Sequence, residues 1–194
     1  MISHIGIDFG ARYAGTTAIC HVDNGCLRVV QSVKKQDADE FCRQMISRLK
    51  PDFVMIDAPL SLPAAYFRQV SPDDNPDADF FFRQADRQLK AMSPMFLGGL
   101  TARAMQLAFY FRRIEIPFYE TWPTYIRKYF GSAERPQAGL LDAELRKATG
   151  MGLQDELQLS PHGIDSILAW YAGWIKIRGV SAVYGNQTEG LVWC

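Results

Sequence analysis

His4-Ile-Gly-Ile-Asp-Phe-Gly10 is a short apolar run with one acid near its end, closed by glycine. Such a run reads as a buried strand, and period-two geometry sets Gly6 and Asp8 on one face with Ile5 and Ile7 on the other. After a turn at Arg12-Tyr13, Gly15-Thr-Thr-Ala-Ile-Cys-His-Val22 reads as a second strand. Asp23-Asn24-Gly25 is a hairpin signal, and Cys26-Leu-Arg-Val-Val-Gln-Ser-Val33 supplies a third strand. Residues 4–33 therefore read as an antiparallel meander. A helix follows from Asp37 to Leu49, with Phe41, Met45, Ile46 and Leu49 on one face at helical spacing. Pro51 ends it, and Phe53-Val-Met-Ile-Asp57 is a fourth strand, buried by composition. Strand, helix, strand after a meander implies a right-handed crossover that lays strand four parallel to another strand.

Residues 60–98 break this pattern. Pro59 and Pro63, then Ser71-Pro-Asp-Asp-Asn-Pro-Asp77, then Phe80-Phe-Phe-Arg-Gln-Ala-Asp-Arg-Gln-Leu89 read as an insertion carrying a short helix. A connection of this length inside a domain is usually functional or mobile. Beyond it the pattern predicts a helix over Thr101–Arg113, with Ala104, Leu107, Ala108 and Phe111 inward, and a fifth strand over Pro117–Trp122. Helices are expected near Tyr125–Tyr129 and Leu140–Ala148. A last long helix has Ser160 as N-cap and Pro161 at its first position, and runs to Arg178. The tail, from Ala182-Val-Tyr to Leu191-Val-Trp, reads either as a terminal hairpin or as an extended flap.

Acids stand where apolar strands end. Asp8 closes one strand, Asp57 another, and Glu120 the fifth, while Asp165 lies early in the last helix. If strands one and four are parallel neighbours, Asp8 and Asp57 come within about 4.8 Å of each other's strand. Carboxylates that close repel unless one is protonated or a cation lies between them. Oxygen-only ligands favour a hard ion such as Mg²⁺ or Mn²⁺. Plainer readings stand beside this one. A strand-end Asp accepts backbone N–H groups in the next turn. Asp165 complements a helix N-terminus, and Glu120 pairs with a nearby Arg.

Arg83-x-x-Asp86-Arg87 is the most distinctive part of the insertion. Arg83 and Arg87, four apart on a helix, could grip one phosphate, with Asp86 orienting an arginine or adding a metal ligand. Arg68 is a weaker candidate of the same kind. The alternative is an amphipathic surface helix with internal ion pairs. His162 reads either as a proton shuttle near Asp165 or as a surface residue at a helix start, and it is left out of the catalytic set. Met92, Met95 and Phe96 are taken as packing.

Composition bounds the function classes. Of 194 residues 48% are apolar and 22% charged, which excludes disordered, collagen-like and low-complexity chains. Lys+Arg equals Asp+Glu, 21 against 21, so no global basic field points to nucleic acid or membrane. Locally, residues 83–128 hold eight basic side chains against three acidic ones, with Phe96, Tyr110, Trp122 and Tyr125 interleaved as bases would require, or as a packed core would. No apolar run reaches the ~20 residues of a spanning helix, and the N-terminal residues lack a secretory core, so a cytoplasmic location is expected. Cys20, Cys26, Cys42 and Cys194 have neither C-x-x-C nor zinc spacing and are expected to be reduced packing residues.

Ile5-Gly-Ile-Asp-Phe-Gly10 with Gly15-Thr16, Ile56-Asp-Ala-Pro-Leu60, Arg83-Gln-Ala-Asp-Arg87, Tyr119-Glu-Thr-Trp-Pro123, His162-Gly-Ile-Asp-Ser-Ile-Leu-Ala169 and the closing Glu189-Gly190 together resemble the domain of unknown function 429 family. Its members are described as predicted nucleases of ribonuclease H-like fold. The resemblance spans nearly the whole chain and rests on the order and spacing of these motifs. It implies an α/β fold: a mixed five-stranded sheet of order 3-2-1-4-5 flanked by helices, in one domain over residues 1–194 with the insertion after strand four. It also implies Asp8, Asp57 and Asp165 as ligands of Mg²⁺ or Mn²⁺, with Glu120 in support. In the wider superfamily two such ions, ~3.5–4 Å apart, clamp the attacking and leaving oxygens of a phosphodiester.

The expectation is a metal-dependent nuclease with nucleic acid, DNA or RNA, as partner and no membrane. Oligomeric state stays open, a homodimer included. Two rivals remain. One is a nucleotide-binding or ATPase module of the actin and sugar-kinase group, which shares the Asp-x-Gly turn but usually needs a second domain. The other is a non-catalytic binding module on the same fold.

Overall fold

The N-terminal run forms β1 (His4–Asp8), followed by β2 (Ala18–Asp23) and β3 (Cys26–Gln31) in the expected meander. Asn24 and Gly25 both take positive φ, 50° and 79°, the two-residue turn whose twist matches the flanking strands. The computed structural model describes residues 2–67, 78–131, 134–154 and 159–194. Arg68 and Ser71–Asp77 lie outside these.

Helix α1 (Ala38–Leu49) starts where Asp37 accepts the backbone N–H groups of Asp39 and Glu40. It stops at Lys50, whose φ of 46° is left-handed, one residue before Pro51. The chain then enters β4 (Phe53–Asp57), parallel to β1 in the register His4 to Phe53 through Asp8 to Asp57. The short helices α2 (Gln84–Leu89) and α3 (Pro94–Leu97) lead into α4 (Gly99–Arg112), which returns the chain to β5 (Phe118–Thr121), parallel to β4. After α5 (Pro123–Ile126) and α6 (Ala138–Thr149) comes α7 (Pro161–Ile177), capped by Ser160 Oγ on the Gly163 N–H.

The tail is a hairpin and not a flap. β6 (Val183–Asn186) and β7 (Gly190–Trp193) pair antiparallel, and β7 joins β5 in parallel register. Among the described residues the sheet therefore has seven strands in the order β3-β2-β1-β4-β5-β7-β6, where five were expected. The first five hold the expected order 3-2-1-4-5, and the fold is the expected α/β mixed sheet flanked by helices. The two extra strands cover the edge that β5 would otherwise present unpaired. Lys176 helps to fix them by lying over the rings of Tyr119 and Trp193.

Each face of the sheet has its own core. Ile5, Ile7, Val54 and Ile56 pack with Cys42, Ile46, Leu107 and Phe111 from α1 and α4. Met55, Cys20 and Val192 pack with Ile167, Leu168, Trp170 and Ala172 of α7 on the other. Gly6 faces α7 at a crossing with no room for a side chain. A Cβ there would stand 2.1 Å from the Trp170 nitrogen and 2.4 Å from the Ser166 carbonyl oxygen. This close approach brings the start of α7 to the end of β1. Arg103 of α4 holds the segment after β1, donating to the Gly10 carbonyl and to both oxygens of Asp39.

All four cysteines are free thiols, with Cys20, Cys42 and Cys194 buried as expected. Among the described residues no helix is long and apolar enough to cross a membrane. Met92 and Phe96 correct the expectation of packing. They are 55% and 64% exposed, with Phe96 touching the rings of Phe81 and Phe82 at the surface of the insertion.

Candidate functional site

Asp8 and Asp57 are cross-strand partners at the carboxyl ends of β1 and β4. Parallel neighbours lie about 4.8 Å apart, and residues in register face the same side, so both carboxyl groups share one patch. Gly6, two residues before Asp8, sets that side toward α7. There α7 delivers two groups one turn apart. His162 Nδ1 lies 2.7 Å from Asp8 Oδ2, the ring N–H donating to the carboxylate. Asp165, buried, raises the proton affinity of both Asp8 and Asp57 by repulsion. The structure thus brings Asp8, Asp57 and Asp165 to one place.

The electrostatics of this patch favour a cation. Burial pushes the Asp8 carboxyl up to about 6, the His162 hydrogen bond opposes that, and Asp165 adds to it. Asp57 is raised well above the ordinary carboxylate range, first by burial, then by Asp8, Asp165 and Glu120, with Arg127 acting against them. Among the described residues the Asp57 carboxylate has no hydrogen bond and no ion pair. Asp165 differs: Arg127 Nη2 lies 3.1 Å from Oδ1, and Arg135 reaches Oδ2 with Nε at 2.8 Å and Nη2 at 2.7 Å. As the side chains stand, no group of three His, Cys, Asp or Glu among the described residues is disposed to hold a metal ion.

Glu120 borders the same cleft but turns to a different partner. Its two oxygens accept from Arg83 at 2.6 and 2.7 Å, and Oε2 also accepts the Leu60 N–H at 3.0 Å. Burial raises its pKa and Arg83 lowers it. Arg83 is 1% exposed and gives its remaining donors to Asp86 and Ser61. These bonds use all five N–H groups of the guanidinium, leaving none for a phosphate. Asp86 also caps α2 by accepting the Arg83 backbone N–H at 2.8 Å. Arg87 points the other way, exposed, paired with Asp79 and over the Phe82 ring. Arg83 and Arg87 therefore do not share a face: Arg83 precedes α2 as its N-cap and folds inward, and only Arg87 lies on the helix.

The cleft has a volume of about 220 Å³ and is lined by Asp8, Asp57, Arg83, Asp86, Glu120 and Trp122 with an apolar wall from the insertion. Glu189, part of the resemblance at the chain end, is buried and ties the insertion to the hairpin by accepting the Ala64 and Gln84 N–H groups and the Asn186 amide. His162, left out of the catalytic set, and Arg135 are the two contributors that the sequence did not single out, whereas Asp165 was among the expected ligands. His162 and Asp165 are three apart on a helix, a spacing that puts both on one face and is legible in His162-Gly-Ile-Asp165. Arg135 carries no local signal in the sequence.

No family model matches the chain, and no curated protein does. Among solved structures it is similar to Thermus thermophilus RuvC in complex with Holliday junction substrate, at 16% identity over 95% of this chain and 99% of that one, TM-score 0.49. It is also similar to a Thermus thermophilus RuvC structure, at 15% identity over 94% and 98%, TM-score 0.46. A third is the yeast mitochondrial Holliday junction resolvase Ydc2, at 13% identity over 91% and 81%, TM-score 0.44.

Proposed function

We propose that this chain is a divalent-metal-dependent nuclease that hydrolyses phosphodiester bonds of nucleic acid. The observation that carries this reading is the in-register pair Asp8–Asp57, half-buried beside the buried Asp165, with the Asp57 carboxylate free of any hydrogen bond or ion pair among the described residues. The donor set matches a hard ion in its chemistry, oxygen ligands only, with one oxygen of Asp8 left over from its bond to His162 and the Asp57 carboxylate unbonded, while Asp165 would have to give up Arg127 or Arg135 to join them. Asp8, Asp57 and Asp165 would hold Mg²⁺ or Mn²⁺, which when bound supplies Lewis acidity and a more acidic water.

The remaining roles belong to the chain itself. Asp8 orients His162 through Nδ1, which leaves Nε2 to take or give a proton at the cleft. Arg135, about half exposed on Asp165, is the guanidinium available to a substrate phosphate, in place of Arg83. Glu120 supports the site at a distance, adding negative potential at Asp57 while neutralising Arg83. The resemblance to the domain of unknown function 429 family supports the same reading.

The test is cleavage of single-stranded DNA, duplex DNA, RNA and four-way junctions with Mg²⁺ or Mn²⁺, against a chelator control. Activity is expected with metal only. Asp8→Asn and Asp57→Asn should each reduce it by on the order of a thousandfold while circular dichroism stays native. Metal-independent cleavage, or none on any substrate, overturns the proposal; thermal stabilisation by nucleotide without cleavage would favour the kinase-like module instead.

A further inference from the structure

Two divalent ions that share one site lie ~3.5–4 Å apart and need carboxylates from both flanks of the cleft. Here the sheet separates those flanks. Asp8 and Asp57 are in register with each other, on the side that Gly6 turns toward α7. Glu120 is in register with Ile56, one residue before Asp57, and Ile56 packs into the core under α1 and α4. By the period of two, Glu120 leaves the sheet on the opposite face from Asp57, although both acids line the cleft.

That second flank already holds a cation. The Arg83 guanidinium donates to both oxygens of Glu120, at 2.6 and 2.7 Å, and to both oxygens of Asp86, at 2.7 and 3.1 Å. Arg83 is 1% exposed, Asp86 2% and Glu120 7%. The charge that the guanidinium does not cover is met by backbone N–H groups, that of Leu60 on Glu120 and that of Arg83 itself on Asp86. Arginine keeps its proton in proteins, so Arg83 cannot yield its place by becoming neutral. Nor can it swing away without loss. It would abandon two buried acids and the Ser61 hydroxyl, which in turn donates to the Glu189 carbonyl oxygen in the C-terminal hairpin. On the other flank the Asp57 carboxylate has no bond among the described residues, and Asp8 keeps one oxygen free of His162.

We propose that the chain holds one divalent ion, on the Asp8–Asp57 flank, and that Arg83 fills the second cation position permanently. This rests on the metal-dependent reading and sets the number of ions within it. Glu120 and Asp86 are then positioning residues that hold Arg83 and the start of α2, and not metal ligands.

Manganese alone is the probe, titrated into the full chain and counted by electron paramagnetic resonance, in which free ions give a six-line signal that bound ions lose. Wild type should bind one ion per chain, and Asp57→Asn none at concentrations that saturate wild type. Arg83→Met, which frees Glu120 and Asp86, should bind two. Arg83→Met combined with Glu120→Gln and Asp86→Asn should return the count to one, since neutral groups replace the whole buried ion cluster. Two ions on the wild-type chain overturn the proposal. So does a single ion on folded Arg83→Met, or an ion retained by Asp57→Asn, which would place it elsewhere. No ion on the wild-type chain removes the metal-dependent reading itself, and the proposal with it. If Arg83→Met does not fold, the counts on wild type and on the triple variant decide: one on each is expected, and two on either overturns the proposal.

Discussion

At Asp57 ionisation is disfavoured, first by desolvation and then by repulsion from Asp8, Asp165 and Glu120. Its effect on stability follows from the sign of the shifts. Asp8 rises from 3.8 to about 6 and Asp57 shifts the same way, so between these values the native state keeps protons that the unfolded chain has lost. Stability in chelator therefore falls as pH rises through that window and stays low above it. For Asp8 alone the cost at neutral pH is on the order of 3 kcal/mol. Asp57→Asn should accordingly melt higher than wild type in chelator at pH 7, with the gap closing toward pH 4. Manganese should raise the wild-type melting temperature and leave the variant's unchanged. Parallel melting profiles of the two proteins across pH would refute the cluster as a site of charge repulsion. The acids were legible in the sequence because strand ends and period two are local features. The fate of Arg83 was not, since burial of an arginine is decided by its partner, and Glu120 is 37 residues away. His162 was seen, but its link to Asp8 spans 154 residues and only the fold supplies it.

Elements were easier to read than contacts between them. The strands and helices through β5 follow from apolar periodicity and Pro51, and the start of α7 from Ser160-Pro161, because those signals act within a few residues. The C-terminal hairpin was undecided, since β6 and β7 have four residues each and gain their stability from docking on β5. The crossing of α7 over β1 was likewise hidden, although its requirement, Gly6, was in plain sight between two isoleucines. That crossing is what delivers His162 and Asp165 to Asp8. Gly6→Ala would place a methyl group against the α7 backbone, and such overpacking costs about 1–3 kcal/mol or more. The denaturant midpoint should fall, and metal-induced stabilisation should fall with it, because α7 must move away from the strand ends. Gly139→Ala on α6, where a Cβ meets nothing within 4 Å, is the control and should gain roughly 0.5–1 kcal/mol. Equal midpoints for the two variants would show that the close crossing does not constrain the fold.

Across the whole molecule, equal numbers of acidic and basic residues hide an uneven arrangement. The basic excess within residues 83–128 left open a surface for nucleic acid beside the plainer reading of solvated helix faces, and three of its arginines are spent internally: Arg83 on Glu120 and Asp86, Arg103 on Asp39, and Arg127 on Asp165. Charge counted along a sequence does not reveal such pairing, because the acids come from elsewhere in the chain. Outside that window Arg135 stands about half exposed on Asp165, while Lys128 within it is held over the Tyr125 ring. If the proposed nuclease activity holds, a chain built this way should contact few phosphates, about two or three, and so release few counterions on binding. The dissociation constant of the cleavage-deficient Asp57→Asn variant for DNA should then vary with salt at a log–log slope of only about 2–3. Arg135→Ala in that background should lower the slope by about 1, whereas Arg87→Ala, remote from the acids and paired with Asp79, should leave it unchanged. Fluorescence anisotropy over a salt series measures both. A slope of about 6 or steeper would mean that a broad basic surface binds the substrate, and a slope insensitive to Arg135 would remove that residue from the phosphate path.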